Sequence, residues 1–243
     1  MNILAIGAHP DDIEIGCGGT LIRSARDGHD VYMYVVSRGE VGGDAQQRIR
    51  ELFAAAKYLG AKKLWLDNFP DSKLVSSPEL IHHIEWIISK CNPDLILTHS
   101  VCDTHHDHRA VAISSAEAAR NVPTVLAYEN PLSKRFNAQV YVDISDTIDD
   151  KCSLLECFVS QNNRNYDFNK AVKLLAEYRA LQSRNNQLVS HAEAFEVMKM
   201  IFGRNMSLVK ANNATSLRKR TCYNVSKIWD VPLDAGISKL KVS

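Results

Sequence analysis

The sequence predicts an α/β fold: a mostly parallel, doubly wound sheet with flanking helices. Apolar runs of strand length alternate with stretches of helical spacing along the first 130 residues. The segments joining them are short, which favours parallel strands linked by crossover helices. Polar residues also gather just after each apolar run. That is where open α/β sheets bind ligands, beyond the carboxyl ends of their strands.

The elements follow in order. NILAIGA (2–8) reads as a buried strand, and GTLIRSARDG (19–28) has helical spacing and stops at Gly28. DVYMYVVS (30–37) is the second strand. Asp44 is placed to cap the helix AQQRIRELFAAAKYLG, which ends at Gly60. AKKLWLDN (61–68) is a third strand, and SPELIHHIEWIISKCN (77–92) is a helix with Pro78 in its first turn. PDLILTHS (93–100), the helix HRAVAISSAEAARN (108–121) and the strand PTVLAYEN (123–130) complete the alternation. Beyond residue 133 the rhythm changes. AQVYVDIS (138–145) is strand-like, and helical stretches follow over 146–161 and 168–186. One domain over 1–243 is the simplest reading, with 201–243 as an unassigned C-terminal extension.

Composition narrows the function. A net charge of +1 supplies no global field toward nucleic acid or membrane. The basic run SLRKR (216–220) reads as a solvated segment. MNILAIGAHPDD lacks the basic start of a signal peptide, and no stretch has the roughly 18 apolar residues of a membrane span. The six cysteines have no CxxC or paired spacing, which suits reduced thiols and a cytoplasmic protein.

Chemistry concentrates at two strand ends, HPDD (9–12) and HSVCDTHHDH (99–108). His9 and Asp12, three apart in a strand-to-helix turn, can grip one metal ion, and His108 can supply a third ligand from the neighbouring crossover. Two nitrogens and one oxygen suit a single zinc with open positions, where bound water acidifies to a pKa near ~7. Asp11 points away from its neighbour Asp12 and is free to act as general base. His105 is placed to donate to a developing oxyanion or to protonate a leaving nitrogen, and Asp107 to orient a histidine.

Plainer explanations exist for each residue. An aspartate at such a junction is ordinarily a helix cap, which accounts for Asp11 or Asp12 singly but not for His9. Glu14 complements a helix N-terminus. His82 and His83 read as structural or surface groups, and His99 either backs a ligand or is simply buried. Cys17, between Gly16 and Gly18, reads as packing. GCGGT (16–20) is not the GxGxxG of a dinucleotide site, and phosphates there would meet Asp11, Asp12 and Glu14.

AHPDDIEIGCGGTL together with THSVCDTHHDHR resembles the PIG-L/LmbE family of zinc-dependent N-acetyl-sugar deacetylases. SRGEVGGD, PDSKL, the YVDIS segment and HAEAF (191–195) extend the likeness over roughly residues 1–200. The resemblance implies a Rossmann-like fold and one zinc per chain held by His9, Asp12 and His108. It implies Asp11 as base, and His105 with Asp107 as its partner at the reacting amide. Arg48 and Asp71 match positions that contact the sugar, with Glu40 and Arg38 as further contacts. The aromatic that some members carry before HHDH is Thr104 here. The implied activity is hydrolysis of an N-acetylglucosamine-type conjugate, a small molecule, to free amine and acetate. The resemblance leaves the group attached to the sugar open, and is compatible with a homo-oligomer and with other divalent metals.

Two other classes compete. A two-metal phosphoesterase would use His99, Asp103 and Asp107, but the sequence offers no obvious cationic clamp for phosphate. A non-catalytic zinc- or sugar-binding module would need neither Asp11 nor His105.

Overall fold

Strand β1 (Asn2–Gly7) lies inside an eight-stranded sheet of order β6-β7-β5-β4-β1-β2-β3-β8. The structure is a computed structural model and describes residues 1–161, 167–183, 189–201 and 228–231. β2 (Asp30–Ser37), β3 (Lys63–Phe69), β4 (Leu95–His99) and β5 (Thr124–Tyr128) run parallel to β1. β6 (Val140–Asp143), β7 (Ala192–Met200) and β8 (Trp229–Val231) add antiparallel pairings at the two edges. The expected mostly parallel, doubly wound α/β fold is thus present.

Side chains of β1 alternate between two cores. Ile3 and Ala5 join one cluster with Ile13, Leu21, Leu52 and Leu154. Leu4 and Ile6 join the other with Trp65, Ile84, Ile87 and Val111. A strand covered on both faces has no polar side, which is why NILAIG reads as an unbroken apolar run. The first cluster takes in α1 (Asp12–Arg26), α2 (Ala45–Leu59) and α5 (Ile148–Leu155), and the second takes in α3 (Pro78–Cys91) and α4 (His106–Ala118). α6 (Phe168–Ser183) packs on β7.

Local signals set several boundaries. The Asp44 carboxylate accepts from Gln47 N at 2.7 Å to start α2, and Gly60 closes it with φ 83. Ser77 caps α3, with Pro78 at its first position. α1 departs from expectation. It starts at Asp12, not near residue 19, and carries the glycines inside it. Glycine weakens a helix, but a Cβ at Gly16 would lie 2.2 Å from Cδ2 of Tyr128. Close packing on β5 therefore demands what reads locally as a loop. β7, unassigned from the sequence, fills the space between β5 and β6. SLRKR and most of 201–243 lie outside the described residues. Among the described residues no helix is long and apolar enough to cross a membrane.

The chain leaves β1 toward β2 on one side and re-enters at β4 on the other. Loops after β1 and β4 therefore part at this junction and leave a crevice between them. HPDD follows β1 and HHDH follows β4.

Candidate active site

The turn after β1 is tightly determined. Asp12 opens α1, and its Oδ2 accepts from His9 N at 2.7 Å. Asp11 takes a left-handed backbone, φ 97 and ψ −23, and makes no side-chain cap to the helix. Its Oδ2 instead lies 3.2 Å from Nη2 of Arg48, which also donates to Pro10 O at 2.5 Å. The expected alternative of a plain helix cap is thereby removed for Asp11.

Three imidazoles surround the Asp12 carboxylate. His9 Nδ1 is 3.2 Å from Oδ2, His108 Nε2 is 3.2 Å from Oδ1, and His99 Nε2 is 3.3 Å from Oδ2. One ligand atom each from His9, Asp12 and His108 fall within 4.8 Å of one another. His108 is fixed from behind: Nδ1 is 3.1 Å from Asp103 Oδ2 and 3.4 Å from Asn130 Nδ2. His99 stacks on His108 with centroids 3.9 Å apart, and its Nε2 accepts from Ala8 N at 3.0 Å.

His9 presents its other nitrogen to a second pair of carboxylates. Nε2 is 3.0 Å from Asp107 Oδ2 and 3.1 Å from Asp71 Oδ1. Asp107 is buried and also accepts from Ser72 N at 2.8 Å and Leu74 N at 2.9 Å. The resemblance pairs Asp107 with His105, and the residues alone offered it any histidine; its carboxylate bonds His9. What reaches His105 is the backbone, with Asp107 N donating to Nδ1 at 3.2 Å. This cap at the start of α4 leaves the proton of neutral His105 on Nε2. Carboxylates bonded to one nitrogen of an imidazole set its tautomer and orientation, and Asp107 and Asp71 hold the His9 nitrogen opposite the one that faces Asp12.

The four expected sugar contacts divide. Arg48 is buried against Asp11, and Asp71 is buried between His9 and Val41 N, which donates to its Oδ2 at 2.9 Å. Glu40 is exposed and accepts from Asp71 N at 2.9 Å, and Arg38 is half-buried after β2. Arg48 and Asp71 both bond residues of the HPDD turn, Pro10 and Asp11 for the one and His9 for the other. Glu14 stands in the first turn of α1, as expected, but is fully buried there. Desolvation pushes it up to about 8.

Electrostatics of the cluster favour a cation. Burial alone would lower His9, yet the charge of Asp12 and the hydrogen bonds that the ring donates to Asp107, Asp12 and Asp71 push it up to about 12. His108 rises to about 9 against the same opposition, through Asp12 and Asp103. Burial would raise Asp12, but His108, His99 and His9 hold it well below the usual carboxylate range. His105 is lowered by burial and by the charges of His108 and His9. Buried carboxylates that draw protons onto two imidazoles would be satisfied equally by a divalent metal. The donor set of His9, Asp12 and His108 therefore fits one.

Sequence reasoning missed Asn130 and the hydroxyl of Tyr128, which lies 3.2 Å from His99 Nε2. Both belong to YEN at the end of β5, a polar group at a strand end that named no role by itself.

The sequence matches the family described as "PIG-L: GlcNAc-PI de-N-acetylase" over residues 4–119. It is 36% identical over 152 residues to "Uncharacterized deacetylase YaiS" of Escherichia coli K12, covering 59% of this chain and 82% of that one. It is 28% identical over 185 residues to the diacetylchitobiose deacetylase of Thermococcus kodakarensis, covering 65% and 69%. Among solved structures, the conserved protein TT1542 from Thermus thermophilus superposes with a TM-score of 0.72 at 25% identity, covering 83% of this chain and 96% of that one. With the HPDD and HHDH turns brought together at the β1/β4 junction, the chain belongs to the PIG-L family.

Proposed function

We propose that this chain is a zinc-dependent hydrolase that removes the acetyl group from an N-acetylglucosamine-type sugar conjugate. The observation that carries the reading is the convergence of His9, Asp12 and His108 at the crevice where Asp11 and His105 also stand. Deacetylase names among its relatives support the reaction, and the diacetylchitobiose deacetylase supports the sugar class. His9, Asp12 and His108 would hold the metal. A divalent ion there supplies a Lewis acid that polarises the amide carbonyl and acidifies water.

The protein's own groups do the rest. Asp11, oriented by Arg48, takes a proton from the attacking water. His105, neutral with its proton on Nε2, donates a hydrogen bond to the oxygen that gains charge as water adds to the carbonyl. The C–N bond then breaks, the nitrogen takes the proton that Asp11 received, and acetate and the free amine leave. Asp107 and Asp71 hold His9 in register throughout. We place the enzyme in the cytoplasm, with a small-molecule substrate. The scattered cysteines, without CxxC or paired spacing, suit a reducing compartment.

The test is acetate release from N-acetylglucosamine carrying different aglycones, with metal stripped and then restored. Release should vanish with the metal and return with zinc. A folded, zinc-replete protein that cleaves none of the conjugates would refute the reading.

A further inference from the structure

Helix α1 is interrupted at Cys17, where φ −144 and ψ 20 leave the helical region. An interruption strands a carbonyl before it and N–H groups after it, and buried backbone groups need partners. Two distant side chains supply them. Lys151 of α5 donates from Nζ to Ile15 O at 2.6 Å. Glu193 of β7 accepts from Gly19 N at 3.0 Å and from Thr20 N at 2.7 Å. Lys151 Nζ and Glu193 Oε1 meet at 2.6 Å, each side chain only 4% exposed.

Gly16, beside the interruption, lies against the ring of Tyr128. The Tyr128 hydroxyl donates to Ile6 O at 2.9 Å and lies 3.2 Å from His99 Nε2. His99 in turn touches Asp12 and stacks on His108. A packed path therefore runs from the ion pair through Gly16, Tyr128 and His99 to Asp12 and His108.

We propose that Lys151 and Glu193 are positioning residues for the metal centre. By fastening the interruption in α1 they set the seat of Tyr128 and His99, and through these the spacing of Asp12 and His108. The proposal rests on the reading that His9, Asp12 and His108 hold the metal. A buried ion pair serving stability alone can often be replaced by apolar groups without loss. Here each charge also serves backbone groups that an apolar replacement would leave bare.

The experiment titrates metal-stripped protein with zinc against a chelating competitor and melts each variant in parallel. No substrate is needed. Wild type should bind one equivalent, and His108→Ala should lose it. Lys151→Met and Glu193→Ala should weaken the Kd by up to about tenfold, the low end for groups bonded directly to a ligand, because Tyr128 and His99 stand between. Glu193→Gln keeps an acceptor for the helix, so its loss should be smaller than that of Glu193→Ala but still measurable. Lowered melting temperatures with an unchanged Kd would overturn the proposal. If the Met and Ala variants fail to fold, Glu193→Gln decides: a Kd equal to wild type overturns it. A wild type without zinc, or His108→Ala binding normally, would instead refute the underlying site reading.

Discussion

Gly16→Ala puts one methyl group where Tyr128 already sits. The new Cβ would lie 2.2 Å from Cδ2, 2.7 Å from Cε2 and 2.8 Å from Cγ of that ring. Carbon atoms in good contact stand about 3.5–4.0 Å apart, so ring and helix must separate by roughly 1 Å or more. The ring cannot swing aside, because Tyr128 is fully buried and its hydroxyl is tied to Ile6 O. Overpacking of this kind costs about 1–3 kcal/mol, and a clash this close belongs at the upper end. Better helix propensity of alanine returns up to about 1 kcal/mol. The net loss is about 2 kcal/mol, and at about 2–4 °C per kcal/mol for a chain of this size the melting temperature should fall by roughly 4–8 °C. Thermal melting of the two proteins reads this directly. Gly16→Ala/Tyr128→Leu should melt closer to the single Tyr128→Leu variant, since the clashing ring is gone. An unchanged or higher melting temperature in Gly16→Ala would refute the packing argument for the glycines in α1.

Other consequences can be measured independently. Asp11→Asn should lower turnover by roughly 10²–10⁴-fold while one metal stays bound; acetate release and metal content read the two effects, and undiminished turnover would remove Asp11 from the base role. Glu14 is raised from 4.5 to about 8 by burial, so the folded chain keeps a proton that the unfolded chain sheds. Stability from this group is therefore lost as pH rises from 4.5 toward 8. In metal-free protein, Glu14→Gln should gain on wild type across that window by up to about 1.4 kcal/mol per pH unit; parallel denaturation curves at pH 5 and pH 8 would contradict it. Cys91 is pushed up to about 12 and Cys17 well above its ordinary value, both chiefly by burial, whereas Cys102 is exposed. A thiol reagent at pH 8 should modify Cys102 in the native protein and leave Cys17 and Cys91 to react only on unfolding, as peptide mapping would show.

Legibility in the sequence followed the range of the interactions. Parallel strands covered on both faces are apolar throughout, so β1 to β5 stand out as runs, and the charged groups after them mark the sheet's carboxyl edge. His9 and Asp12 were readable because they follow the end of β1 directly, and His108 because it closes the polar run that begins at the end of β4. The start of α1 was not readable, because the partner that requires Gly16 is Tyr128, far along the chain. The residues themselves said only that Asp107 could orient a histidine, and the resemblance named His105; the carboxylate bonds His9 and the backbone of Ser72 and Leu74. Arg48 was legible only as a sugar-contact position implied by the family resemblance; its bonds to Pro10 O and Asp11 join segments far apart in the chain and leave no local pattern. β7 alternates weakly, and its place is set by the antiparallel register with β5 and β6.

The backbone at Asp11 acts as a second filter on which residues position 11 can hold. With φ 97, a side chain there carries a conformational cost on the order of 1–3 kcal/mol that glycine escapes and that Asn and Asp tolerate best. A saturation library at this codon would be sorted twice. Asn and Gly pass the conformational sieve but bring no carboxylate, and Glu brings a carboxylate but fits the turn poorly. Aspartate alone satisfies both demands: under the proposed base role, turnover removes Asn and Gly from the library and the turn removes Glu.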